Sequence, residues 1–461
     1  MKKTNFFKLV SLLVVVVFVS ACKDNYPESH KVTTLIALDK QNVTLHAGES
    51  TNISAKVNFQ EDGKNVVTTI EKKINWATSD TLVAKIDANG VVTAVAGGTA
   101  IITAECQGTE ETCAVLVKDI FVAGSFQRSE SETSAVIWQK CDTGAFIKYE
   151  LPDAEFAAMV VNEQGIYYAG TEGNVAKVWK DGAEQYELGE NNKITSMCID
   201  GGDVYVTGYN TISEDNIVAR LWKNGEEIGL DLTGNVSYAY DVAIEKGVVY
   251  VVGSQFREET GAGKMHDAML WAGNTSMSLP FPDRLTINKH AQARTICINN
   301  GVVYVGGSAG YDGEGKPYIW KNGGEDVVVE KFETETKTFV KNLKFVNNEL
   351  YVFHGTKLLM GNKKSEDAKD YMIQAQGSGY ADVAVSEGSV FVVGQGYPQY
   401  ANGKTNEIES GYSKTAFATI LLRDNMQMDF LPRSMRAAAK GENDAAEPEY
   451  PRSSAVAIGV R

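Results

Sequence analysis

Apolar and polar residues alternate with a period of two along most of the chain, in short segments that end at Gly, Asn or Asp. One segment pair organises the rest: Val204-Tyr205-Val206-Thr207-Gly208, then a short loop and Ala219-Arg220-Leu221-Trp222-Lys223-Asn224-Gly225. It returns as Val249 to Gly253 with Met269-Leu270-Trp271, and as Val303 to Gly307 with Tyr318-Ile319-Trp320-Lys321-Asn322-Gly323. A further copy is Ile166 to Gly170 with Trp179, and degenerate copies begin at Phe121, Leu350 and Val390. The marker glycines are 124, 170, 208, 253, 307, 355 and 394, with Met360 and Leu422 at the Trp position of the last two copies. Within a copy, Asp241 to Ile244, Val249 to Gly253, Ala268 to Trp271 and Met277 to Leu279 read as four antiparallel strands. Seven copies of such a unit predict a seven-bladed β-propeller over residues 119–461.

The first copy lacks an innermost strand, and Ser454-Ala455-Val456-Ala457-Ile458 at the C-terminus has no blade of its own. The C-terminal strand is therefore expected to complete the first blade and close the ring, which removes exposed sheet edges. The five repeat tryptophans (Trp138, Trp179, Trp222, Trp271 and Trp320) are expected to be inter-blade core, since they recur at one structural position.

Residues 32–118 carry a different pattern. Gly48-Glu49-Ser50, Asn52 to Val57, Ile74-Asn75-Trp76-Ala77-Thr78-Ser79-Asp80, Val83 to Asp87, Gly90 to Ala94 and Gly97 to Ala104 describe a small β-sandwich with a buried Trp. This set resembles the group 2 bacterial immunoglobulin-like (BIG2) domain over nearly its whole length. The resemblance implies a spacer or adhesion module of a cell-surface protein. The whole chain is thus expected to be all-β, an Ig-like sandwich followed by the propeller, whose copies match neither the WD40 nor the full kelch pattern.

Lys2 and Lys3, an apolar run from Leu9 to Val19 and then Val19-Ser20-Ala21-Cys22 read as a secretory leader over residues 1–21. The last four residues resemble the lipobox of bacterial lipoproteins, which implies lipidation of Cys22. Residues 22–31 would then be the tether, and the protein a lipid-anchored one of a Gram-negative outer membrane, exposed at the surface. The formal charge of −15 falls to about −18 without the leader, and no basic patch is present, so nucleic acid is not an expected partner. Cys106 and Cys113 flank a hairpin, where a cross-strand disulfide is plausible in an oxidising compartment.

Turns at Lys246-Gly247, Asn300-Gly301, Asn224-Gly225 and Asn322-Gly323 are tight and share one face of the ring. Long connections fall on the other: Ser254 to Asp267, Pro280 to Arg294, Ser308 to Pro317 and Gln395 to Lys414. They hold the candidate ligand-binding residues His290, Arg294, Tyr311, Asp312, Tyr397 and Tyr400. Aromatic faces beside polar groups suit a sugar, which offers C–H faces and hydroxyls together. Asp312-Gly313-Glu314-Gly315 offers oxygens to a Ca²⁺ ion but lacks a full loop signature, so no cofactor is expected. The top of the innermost strands reads Ala158, Ser196, Asp241, Thr295, Leu343, Asp382 and Ala455. Asp241 and Asp382 could serve as an acid/base pair for glycoside chemistry, or as hydrogen-bonding residues of the channel. Three functions stay open: carbohydrate binding, glycoside cleavage, and a protein–protein scaffold in an outer-membrane uptake complex.

Overall fold

A computed structural model describes residues 32–61, 63–66, 72–127, 133–142, 144–213, 215–232, 236–259, 263–281, 289–311, 314–321, 330–331, 339–346, 348–354, 357–360, 371–372, 379–386, 389–396, 418–423, 426–427 and 452–460. Cys22, Asp312, Tyr397 and Tyr400 lie outside them.

The described residues form two all-β units. In the first, strand Asn42–His46 runs parallel to Thr109–Lys118, which pairs in turn with Gly98–Cys106 and Asn75–Thr78. Facing this sheet are Thr33–Leu38, Ala55–Glu61 and Lys64–Val66, with a small third sheet of Ser50–Asn52, Val91–Ala94 and Ala84–Ile86. Alternation puts Ile53, Val92, Ile102, Val115 and Val117 into one core. Trp76 is half-buried against that core, more exposed than the sequence pattern implied. No bond joins Cys106 to Cys113. The register sets Cys106 opposite Thr109 and Cys113 opposite Ile102, so four positions separate the two thiols along the hairpin. At about 3.4 Å per residue that is far beyond disulfide reach.

The second unit consists of seven four-stranded meanders. Their innermost strands are Arg452–Val460, Ala154–Asn162, Asn192–Asp200, Val236–Glu245, Lys289–Asn299, Val340–Val346 and Gly379–Ser386, in blades 1 to 7. Each packs beside the next, and Arg452–Val460 lies between the innermost strands of blades 7 and 2. The ring closes as a propeller, with the C-terminal strand paired antiparallel to Ile120–Gln127. The tight turns have the geometry that Asn-Gly and Asp-Gly pairs favour. Asp181, Asn224 and Asn300 sit at φ 48°, 50° and 51°, each before a glycine of positive φ. Each tryptophan fills a seam with the preceding blade. Trp271 packs on Tyr205 and Leu221 of blade 3, and Trp320 on Val252 and Leu270 of blade 4. The indole N–H of Trp271 donates to Asp231 O (2.8 Å) and that of Trp320 to Pro280 O (2.9 Å).

Blade 6 departs from its predicted register by one residue. His354 pairs with Val340 where other blades carry the marker glycine, and Leu359, not Met360, stands opposite Val352 at the Trp position. Gly355 lies outside the described residues. A one-residue slip exchanges the faces of every side chain in a strand. The innermost-strand position assigned to Leu343 accordingly belongs to Asn342, which faces Phe353. At the C-terminus a bulge moves the equivalent position from Ala455 to Ala457.

Asp119 alone separates the last strand of the Ig-like unit from the first strand of the propeller. Its Oδ1 accepts from Gly97 N and from Gln139 Nε2, both at 2.7 Å, so it binds both units at once. Lys85 Nζ lies 3.0 Å from Asp142 Oδ2, and the His46 ring meets Phe391 edge-on with centroids 4.7 Å apart. His46, Asp119, Gln139 and Lys140 are buried here. Asp142 belongs to a turn between third and fourth strands, and Phe391 stands near one between first and second strands. The Ig-like unit therefore docks on the tight-turn face of blades 7 and 1, leaving the other face clear of it.

Candidate binding site at the bulge ring

The innermost strand of every blade bulges where it passes the marker position. A bulge puts two residues of one strand opposite one of its partner and re-aims a side chain. It also explains the marker glycines. A Cβ on Gly253 would come within 1.8 Å of Tyr238 O, and one on Gly307 within 1.9 Å of Gln292 O. Gly170 and Gly208 meet the same carbonyl of their own blades at 1.9 and 2.1 Å. The repeat motif is thus the trace of a close backbone approach made at one place in blade after blade.

In blades 3 to 7 the residue just after the bulge ties its blade to a neighbour. Asp241 Oδ2 accepts from Ile296 N (2.9 Å) and Thr295 Oγ1 (3.0 Å) of blade 5, while its Oδ1 accepts from Ser196 Oγ (2.6 Å) of blade 3. Thr295 Oγ1 accepts in turn from Leu343 N at 3.3 Å. Asp382 Oδ1 accepts from Asn342 Nδ2 (2.6 Å), and its Oδ2 from Ile458 N (3.1 Å) of the closing strand. Both carboxylates are therefore staples between blades, which is the hydrogen-bonding one of the two roles the sequence allowed. Burial pushes the Asp241 carboxyl above the usual carboxylate range, against the pull of the Ser196, Ile296, Val242 and Thr295 donors. Cys198 and Cys297, at matching positions in blades 3 and 5, are pushed up to about 12, first by burial and then by the Asp241 charge.

The bulged residues themselves are Val456, Ala157, Thr195, Tyr240, Arg294, Lys341 and Ala381 in blades 1 to 7. Around Arg294 of blade 5 an aromatic cluster gathers from blades 3, 4 and 6. The guanidinium lies 4.0 Å from the Tyr240 ring centroid and 5.3 Å from that of Phe339. Its Nη2 donates to Gln292 Oε1 at 2.5 Å, and its buried Nε has no partner. Tyr238 stacks on Tyr240 with centroids 5.8 Å apart and rings 3° from parallel, and Tyr209 meets Tyr238 edge-on at 5.0 Å. Burial raises the Tyr240 and Tyr238 hydroxyls above their ordinary values, with Arg294 opposing in both. All these rings are half-buried, so each keeps part of its surface open.

The neighbouring seam holds two histidines. His290 faces His266 across a parallel bridge with ring centroids 5.4 Å apart, and Phe256 closes on His266 at 5.3 Å. His266 is held below the ordinary imidazole value by burial first, then by the charges of His290 and Arg294. The hairpins over this sector are long. Strands Asp203–Ser213, Val248–Glu259 and Val302–Tyr311 have 11, 12 and 10 residues, against 6 for Glu349–His354.

Of the sequence candidates, the structure brings Arg294 and His290 together on one strand, Lys289–Asn299, not on a loop. Alternation keeps side chains 290, 292 and 294 on one side. Tyr311 likewise ends a strand, opposite Glu314. Tyr209, Tyr238, Tyr240, Phe339 and Lys341 escaped sequence reasoning. For Tyr240 the signal is positional, since like Arg294 it immediately precedes a residue of the innermost-strand row, and Lys341 does so only once Asn342 replaces Leu343 in that row.

Residues 32–115 match the family model of the bacterial Ig-like domain (group 2). No curated protein matches the chain. Among solved structures, similarity extends to a quinonprotein alcohol dehydrogenase-like protein from Bacteroides thetaiotaomicron, 9% identical over 91% of this chain and 96% of that one (TM-score 0.38). The extracellular domain of a hybrid two-component system from the same organism is 11% identical over 65% of this chain, which spans only 44% of it (TM-score 0.38). The β-propeller domain of the trilobed protease from Pyrococcus furiosus is 14% identical over 73% of this chain and 97% of that one (TM-score 0.35). At this level of likeness, fold rests on the strand register above and no chemistry is carried over.

Proposed function

We propose that the protein is a lipid-anchored, surface-exposed binding protein of a Gram-negative outer membrane, taking carbohydrate at the Tyr240–Arg294 cluster. One observation carries the reading: half-buried aromatic faces from the blades on either side converge on a guanidinium. Sugars bind through C–H faces on aromatic rings and hydroxyls on fixed polar groups, and this cluster offers both. Glycoside cleavage through Asp241 and Asp382 is disfavoured, because both already accept from fixed donors in neighbouring blades. Anchoring rests on the resemblance of Val19-Ser20-Ala21-Cys22 to a lipobox. The test is a glycan array with the purified full chain beside a Tyr240→Ala variant. Binding that disappears with Tyr240 supports the reading, and an array blank at millimolar affinity sinks it. Loss of surface labelling on intact cells after Cys22→Ala checks the anchor.

A further inference from the structure

The bulge row is unequal in charge. Ala381, Val456 and Ala157 occupy it in blades 7, 1 and 2, whereas Arg294 and Lys341 occupy it in adjacent blades 5 and 6. Neither cation has a carboxylate partner among the described residues. Arg294 contacts the Gln292 amide and the rings of Tyr240 and Phe339, and leaves a buried Nε unpaired. Burial alone acts on Lys341, holding its ammonium below the ordinary lysine value. Carboxylates are not scarce in a chain of charge −15, and two stand next to this row in sequence terms. Those two, Asp241 and Asp382, point instead at hydroxyl, amide and backbone donors of the blade seams. A half-buried cation without a counter-ion is unfavourable in the empty protein, and an arriving anion reverses that penalty. Cations held without a counter-ion in this way are candidates for a binding site.

We infer that the ligand is an anionic saccharide, whose acid group lies between Arg294 and Lys341 while its ring rests on the tyrosines of blade 4. This rests on the carbohydrate reading above and adds the ligand's charge to it. Arg and Lys together supply charge-assisted hydrogen bonds, which are about twice as strong as neutral ones.

The experiment is calorimetric titration of the purified full chain with matched pairs: an oligouronate and its carboxyl-reduced form, and a sulfated oligosaccharide and its desulfated form. The acidic member of at least one pair is expected to bind about tenfold tighter or better at low salt, with the gap shrinking as salt rises. Which pair shows the gap identifies carboxylate or sulfate as the acid group. Lys341→Met should erase most of the gap, and Arg294→Lys, which retains charge, should keep part of it. Circular dichroism on each variant separates lost binding from lost fold. Equal affinity for acidic and neutral partners overturns the charge assignment and leaves the carbohydrate reading standing. Binding of neither member of any pair, together with a blank array, overturns both.

Discussion

Two arcs of one ring can be compared position by position. Blades 7, 1 and 2 and blades 3 to 6 share the bulge in the innermost strand. In the first arc the bulge holds Ala or Val, and the Ig-like unit covers the tight-turn side of blades 7 and 1. In the second it holds Thr195, Tyr240, Arg294 and Lys341, beside second strands of 10 to 12 residues in blades 3 to 5. The lesson is a division of labour within a repeat. The residue after the bulge works for the ring, and the bulged residue itself is free to differ.

The largest effect should come from the feature that both arcs share. Gly253→Ala drives a Cβ into Tyr238 O and is expected to cost about 3 kcal/mol or more, read as a lowered midpoint in chemical unfolding. An unchanged midpoint would mean that the bulge does not dictate the glycine. Next comes the closing staple. Asp382→Ala strands the Ile458 amide and the Asn342 side chain, at about 1–3 kcal/mol, and should speed hydrogen exchange in residues 452–460 selectively.

Substitution in the two arcs should separate stability from binding. Arg294→Ala removes a cation–π contact worth about 0.5–2 kcal/mol and abolishes saccharide binding, while Ala157→Ser should leave titrations unaltered. Smaller still is the pH dependence of His266. Its folded value is depressed, so its contribution to stability is present above the unfolded value, about 6.5, and is lost as pH falls through the lower folded one. A modest drop in melting temperature between about pH 7 and 5 is expected, and His266→Phe should flatten it. The smallest effect is none: since Cys106 and Cys113 are not joined, a reductant should leave the melting temperature unmoved.

Much of this was legible beforehand because it repeats. Five tryptophans and six of the seven marker glycines reveal the blade as a period, and the orphan strand at the C-terminus reveals closure. Blade 6 defeated the same reasoning: His354-Gly355 and Leu359-Met360 each present two candidates for one position, and only strand pairing chooses. The binding cluster was half visible. Arg294 and His290 stood out as cations in an acidic chain, but Tyr209, Tyr238 and Phe339 become neighbours only when three blades close on one another. The disulfide expectation failed for a related reason. Loop length brought Cys106 and Cys113 near in sequence, but a two-residue turn at Gln107-Gly108 fixes a register that keeps them apart.

Asp119 gives the molecule a bearing. With a single residue between the units, and that residue bonded to both, the propeller cannot swivel on its stem. A pull on the propeller is therefore carried straight into the Ig-like unit, with no hinge between them to absorb it.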